Sequence, residues 1–443
     1  MAWCLCAVLL VATLVSIAAG AQARGEPVVE FETTVATYVP PNNGAGPLWC
    51  YGAPLVARLG DEAYLSAMET GEGIAPLCNT RWNLYHVSGQ SVELLQHEEG
   101  YVEREPCPLV RAGDSLYLSV NPLKSADGPR QGPCDPHLLR FPIPGAAEIP
   151  VALKPPWPDG ATLTEHSYRG LAADGPAGEV LALTIDAATS AQHWCLLDRD
   201  GRWVAQGSLS FPIRACYPQV ALRGRAAHVL AIGDIVEPVA EWRTYKHEQT
   251  QREWDYVFRR LFYAWSPDIS ASGFAEPLEV ENLEATAGHI TNLDLWIGPD
   301  GEAHLLYATT PVQSPLMRDR FFPDVKLVTS LVHTVVRGGA VASREVIAEG
   351  GEGLPQPAPS WARFHATGDG RLFIVYYASG ANWVMQLLPA RGEPMRLSLQ
   401  HPITHPFTNT ERGGSEPSRV LDLFGTTDEP NALGYARIRL PEE

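Results

Sequence analysis

The chain has 443 residues and a formal net charge of −18, with 45 % apolar residues, 39 glycines and 38 prolines. That acidity argues against nucleic acid or an anionic membrane surface as the main partner, since both would repel it. The glycine and proline content suits many short strands joined by turns, and no stretch reads as a long amphipathic helix.

Residues 3–19, WCLCAVLLVATLVSIAA, are uncharged and apolar, and Ala21-Gln22-Ala23 follows as a small-x-small cleavage signal. This pattern predicts a secretory signal peptide over residues 1–23, with an uncleaved anchor as the alternative because no Lys or Arg precedes the apolar run. No later segment is apolar enough to cross a membrane. The expected location is therefore secreted or periplasmic, with no membrane span after cleavage.

Residues 28–39 alternate as a strand does. After them come two copies of one pattern: PLVARLGDEAYLS from Pro54 and PLVRAGDSLYLS from Pro108, offset by 54 residues. Each copy is opened by a cysteine (Cys50, Cys107) and closed by another (Cys78, Cys134). That period is one four-stranded propeller blade. Similar hairpins recur at residues 168–186, 217–234, 292–308 and 360–378, which makes six inner hairpins. Residues 420–427 and 432–440 resemble the middle of a seventh blade, one strand short. Giving it the N-terminal strand closes the ring and removes exposed sheet edges. The expected fold is a single all-β domain over residues 24–443, a seven-bladed β-propeller, with six blades as the alternative.

Six cysteines remain after residues 1–23, an even number in a chain bound for an oxidising compartment, so disulfides are expected. The repeat suggests Cys50 with Cys78 and Cys107 with Cys134, leaving Cys195 with Cys216. Zinc is a poor alternative, because the mature chain has no C-x-x-C and its cysteines are widely spaced.

In the fourth unit, residues 259–280 read RRLFYAWSPDISASGFAEPLEV, with Ser266, Asp268, Gly273 and Phe274 near the positions of a Ser-x-Asp-x-Gly-x-Thr-Trp motif. The glycine is displaced and the Thr-Trp is missing. The segment resembles an Asp-box blade of the sialidase-like (BNR repeat) propeller superfamily. In that superfamily the Asp stabilises a turn and is not catalytic. The resemblance implies action on extracellular carbohydrate, as a glycoside hydrolase or polysaccharide lyase. The alternative is a non-catalytic propeller that binds glycan or protein.

In a propeller the loops leading into the innermost strands and those joining the second and third strands share one face. Two of the latter are long, residues 234–254 and 309–325, and long loops in a compact fold are usually functional. The expected site lies mainly on blades four and five. Tyr256, His289, Glu237 and Asp234 are the candidate catalytic groups, as proton-transfer residues or nucleophile. His166, Tyr217, Arg243, Trp254, Asn292, Arg318 and Arg363 are candidate substrate-binding groups, the aromatics for stacking on sugar rings and the arginines for carboxylate or sulfate. A lyase would need a His or Tyr base, a Tyr or His acid and an Arg on the uronate. A sialidase-like hydrolase would need a Tyr nucleophile, carboxylates and an arginine cluster. His228 and His304, flanked by apolar residues, are expected to be packed. No motif calls for a metal or cofactor, and the expected partner is an extracellular glycan met by a monomer.

Overall fold

The repeated Gly-Asp pair sets the first turn of each of the two copies. Leu59 pairs with Glu62 and Ala112 with Ser115, so Gly60-Asp61 and Gly113-Asp114 are two-residue hairpin loops. Gly60 and Gly113 have φ of +57° and +54°, which glycine adopts without the clash a Cβ brings. The computed structural model describes residues 25–442 apart from 49–52, 126–127, 144–145 and 147. The expected signal peptide therefore lies outside the described residues.

Seven four-stranded antiparallel sheets follow one another along the chain. Blades 1 to 6 span residues 56–97, 109–153, 169–209, 215–282, 289–351 and 360–396. Blade 7 takes three strands from residues 407–439 and its outermost strand from Val28–Thr37, which pairs with Ala432–Arg439. The ring is closed with both chain ends in one sheet, as the sequence pattern predicted. Phe31 packs on Tyr435 at 6.0 Å across that seam.

The core is a series of apolar layers, one between each pair of neighbouring blades. Blade 3 shows why its strands are apolar at nearly every position. Ala172, Leu181, Leu183, Trp194 and Leu196 face blade 4. Leu171, Ala173, Val180, Ala182 and Leu197 alternate with them and face blade 2. Each large side chain so buried contributes roughly 1.5–3 kcal/mol.

The same alternation overturns the expected disulfides. Cys78, Cys107, Cys134, Cys195 and Cys216 are all buried free thiols, and Cys50 lies outside the described residues. Cys195 is in register between Leu181–Leu183 and Gln206 of blade 3, next to Trp194 and Leu196 but pointing from the opposite face. Cys216 points into the layer between blades 4 and 5, so sheets stand between the two. Cys107 belongs to the layer between blades 1 and 2, whereas Cys134 packs beside Cys78 and Leu123 in a separate small cluster. Cys134 of the second copy therefore meets Cys78 of the first rather than Cys107 of its own, and all three remain thiols.

Residues 266–274 do form the expected turn. The Asp268 carboxylate accepts from the Ser270 amide at 2.9 Å, and the Ser266 hydroxyl donates to the Ser272 carbonyl at 3.0 Å. Phe274 packs edge-on against Trp194 of blade 3.

One mouth of the channel is stopped by the chain itself. The loop after the first strand of blade 7 crosses to blades 2 and 3: the Arg111 amide donates to the Gly413 carbonyl at 2.8 Å and the Ala173 amide to the Arg412 carbonyl at 2.8 Å. Gly414, at φ +80°, lies so close to Arg111 that a Cβ would stand 1.7 Å from its carbonyl oxygen. Arg412 then reaches Asp294 of blade 5 at 2.8 Å and Gln219 of blade 4 at 3.1 Å. The opposite mouth carries the loops that lead into the inner strands.

Candidate functional site

A cavity of about 510 Å³ opens at that mouth. Blade 3 supplies His166 and Tyr168, just ahead of its inner strand Arg169–Asp174. Blade 4 supplies Arg214 and Tyr217 around the start of Ala215–Arg223, and Asp234 just past the second strand. Asn42, Asn43, Leu77, Arg104 and Gln131 complete the wall on the side of blades 1 and 2.

The long loop of blade 4 builds the outer rim. Ile235–Val236 and Tyr256–Val257 form a two-rung ladder, and helix α1 (Ala240–Thr250) fills the excursion between them. Glu237 fixes this excursion from beneath: it accepts from Lys246 at 2.8 Å and from Arg259 at 2.9 and 2.6 Å. The ladder thereby lifts Trp254 and Tyr256 over the cavity with their rings roughly parallel, 6.3 Å apart. Trp254 is 79 % exposed and Tyr256 38 %, so the two rings present an aromatic pair to solvent at the rim.

At the floor, Tyr168 and Tyr217 lie with ring centroids 4.6 Å apart and their hydroxyls within hydrogen-bonding reach. Tyr217 is held in the left-handed region, φ +52°, inside an irregularity of the strand between Cys216 and Gln219. Asn292 of blade 5, fully buried, donates to the Tyr217 carbonyl at 2.7 Å and so secures that conformation. A non-glycine residue costs ~1–2 kcal/mol there, and such strain gathers at functional sites.

Charge surrounds this tyrosine pair. Arg214 is ion-paired with Asp234, lies 5.5 Å from the Tyr168 ring and 5.9 Å from that of Tyr256, and keeps 28 % of its side chain exposed. Arg104 is anchored by Glu105 at 2.7 Å and interacts with the Tyr168 hydroxyl. Burial pushes Glu105 up to about 7, against the pull of Arg104 and Arg169. Burial also raises both tyrosines. His166 is shifted below its ordinary value by burial and by Arg104 and Arg214, with Glu165 opposing, so it is neutral near pH 7. Its Nδ1 is buried with no hydrogen-bond partner among the described residues.

Of the residues singled out from the sequence, His166, Tyr217, Asp234, Trp254 and Tyr256 come together in this one cavity. The others stand apart from its lining. Glu237 is the helix anchor just described. His289 lies behind Phe258, edge-to-face at 5.8 Å, and burial with Arg259 nearby brings it down to about 4. Asn292 acts on the backbone of Tyr217. Arg243 is exposed on α1. Arg318 sits on helix α2 (Pro315–Phe321) and is ion-paired with Glu352 at 2.7 Å and with Asp319. Arg363 is buried in the interior of the ring.

The expected contribution of blade 5 is made by blade 3 instead. The long blade 5 loop folds as α2 and packs Phe321 and Phe322 against Trp242 and Tyr245 of α1. Arg104, Tyr168 and Arg214 were missed, although Tyr168 and Arg214 stand directly before an inner strand and Arg104 lies in the loop that leads into one, the positions that yield His166 and Tyr217. His228 and His304 are packed as expected, bonding Tyr263 at 2.7 Å and His333 at 2.9 Å. Among the described residues no group of three or more His, Cys, Asp and Glu stands together to hold a metal ion. A larger depression of about 670 Å³ lies at the outer edge of blade 6, where the last strand is only Met395–Arg396, and neither His nor Tyr lines it. Its lining carries Glu26, Glu393 and Glu442 with Arg371 and Arg391, whereas the histidine and the tyrosines gather at the mouth.

No family model matches the chain, and no curated protein matches it. Solved structures do. A PL25 ulvan lyase bound to -[GlcA(1-4)Rha3S]- superposes over 94 % of this chain and 96 % of its own, with a TM-score of 0.54 and 10 % identity. The polysaccharide lyase Uly1 does so over 91 % and 92 %, with a TM-score of 0.52 and 10 % identity. At such identity the likeness establishes the shared propeller fold.

Proposed function

We propose that this protein is a polysaccharide lyase that cleaves a uronate-containing extracellular glycan by β-elimination at the cavity of blades 3 and 4. The observation that carries the reading is the composition of the cavity floor: a neutral histidine, a contacting pair of tyrosines and two arginines in one pocket. The two polysaccharide lyases that share the fold over nearly their whole length support it.

Elimination requires three things of the protein. The uronate carboxylate must be neutralised so that the proton on the adjacent carbon becomes acidic, a base must take that proton, and an acid must protonate the leaving oxygen. Arg214, partly exposed and steadied by Asp234, meets the carboxylate. Neutral His166 takes the C5 proton. The C5–H electrons become the C4–C5 double bond as the C4–O bond breaks, and a phenol of the Tyr168/Tyr217 pair gives its proton to the departing oxygen. Burial keeps both phenols protonated, as an acid must be. Trp254 and Tyr256 stack on the apolar face of a sugar along the chain.

Hydrolysis is less well served. Asp234 is the one carboxylate among the described lining residues and is held by Arg214, whereas hydrolases of the common kind use two free carboxyls across the scissile bond. The test is incubation of the purified protein with a panel of acidic and neutral polysaccharides, following reducing ends and unsaturated-uronate absorbance together. Both signals rising on a uronate polymer is the expected result. Reducing ends without absorbance would make it a hydrolase, and binding without either would make it a binding module.

A further inference from the structure

Eight arginines are buried among the described residues. Seven stand within 4 Å of a carboxylate: Arg58 on Asp422 and Arg412 on Asp294 are two of them, at 2.6 and 2.8 Å. The eighth, Arg363, has no such partner there. It is 2 % exposed, on the inner strand Ser360–Ala366 of blade 6, where three blades converge. Its Nη1 donates to the Leu293 carbonyl of blade 5 at 2.9 Å and to the Ala362 carbonyl at 2.8 Å, and its guanidinium lies 4.8 Å from the centre of the Phe407 ring of blade 7. Nε and Nη2 are buried with no hydrogen-bond partner among the described residues.

The nearby groups cannot neutralise it. Asp294 already receives Arg412, the Leu295 amide and the Phe364 amide, each at 2.8 Å. His405, packed against Trp361, is neutral, since burial and Arg363 itself bring it down to about 3. Arg363 is pushed to about 10 by burial and by Arg412, with Asp294 opposing, and so still carries its charge at neutral pH. A full charge with two unsatisfied donors in a buried interior costs several kcal/mol.

We infer that a resident chloride occupies the interior of the ring against Nε and Nη2 of Arg363. One negative charge completes the local balance. A small sphere with no directional demand suits two donors on a side chain only 2 % exposed. This site is separate from the cavity at the mouth and stands whether or not the lyase reading does.

The test uses the full mature protein at constant ionic strength, with sodium gluconate exchanged for sodium chloride, together with crystals soaked in bromide. The expected result is a saturable rise in Tm with chloride, amounting to about 100-fold on the unfolding equilibrium at about 100 times the dissociation constant. Bromide should give an anomalous peak at hydrogen-bonding distance from Nε and Nη2. Arg363→Met and Arg363→Gln, which remove the charge while filling the space, should lose the chloride response. If neither variant folds, the bromide map of the unaltered protein decides. Equal melting in both salts, or a water in place of bromide at the guanidinium, would overturn the inference. So would a bromide peak without any chloride-specific stabilisation in solution, which would be binding at crystal concentration only.

Discussion

Asn292 gives the sharpest separation of a positioning role from a structural one. Its amide holds the Tyr217 carbonyl at 2.7 Å in a fully buried place, and the next donor to that oxygen, Gln219 Nε2, is 3.4 Å away. Asn292→Ala therefore leaves a poorly satisfied buried carbonyl, worth about 1–3 kcal/mol of stability. The second consequence is local. Tyr217 keeps its left-handed φ only while its surroundings insist on it, and release of ~1–2 kcal/mol of strain favours relaxation of the bulge. A displacement of the phenol by about 1 Å should lower kcat by roughly 100-fold. The assay is the rate of unsaturated-uronate formation against substrate concentration, beside a thermal melt. The account expects kcat to fall far more than KM rises, because Trp254, Tyr256 and Arg214 still bind the glycan. A variant that loses stability while kcat stays within about threefold would refute the reasoning, since Tyr217 would then need no such placement.

Tyr217→Phe and Tyr168→Phe each remove one hydroxyl from a pair in ring contact, and the one that supplies the acid should lose about 10²- to 10⁴-fold in kcat with a Tm shift of only a few degrees. Trp254→Ala should raise KM and leave the melt within about 0.5 kcal/mol, because the ring is largely in solvent. The acid limb of the kcat/KM profile should fall with His166: its value is depressed, so activity persists below pH 6.5 and is lost as the base takes a proton at lower pH. For stability, His228 is brought from 6.5 down to about 4 by burial, so the folded state loses a contribution of order 3 kcal/mol as pH falls from 6.5 to 4. His228→Gln cannot take that proton. Its deficit against the unaltered protein in chemical denaturation should shrink over that window, and a constant deficit would count against the buried neutral state.

The blades were legible because they repeat and because propeller strands are apolar on both faces, as the run Glu179–Ile185 shows. Strand Val28–Thr37 could be assigned to the last blade by the need to complete a sheet. The cysteines were misread because the two of one copy are not neighbours: Cys107 lies in the layer between blades 1 and 2, while Cys134 packs beside Cys78 of the other copy. The site was half legible. His166 and Tyr217 follow from their place at the start of inner strands, and Trp254 and Tyr256 from the longest loop. Arg104, Tyr168 and Arg214 occupy the same kind of place, but nothing in the linear order says that blade 3 turns its loop toward that of blade 4 while the blade 5 loop folds back on α1. His289 and Arg363, also at inner strands, point between the sheets, a matter of one residue in a period of two.

The central claim is elimination, and the mass of the product tests it most directly. Digestion of a uronate polysaccharide that the protein cleaves, carried out in heavy-oxygen water, separates the two chemistries without reference to any residue assignment. Elimination yields unsaturated oligosaccharides that are lighter by one water than hydrolysis products. Saturated fragments with one heavy oxygen per cleavage would contradict it.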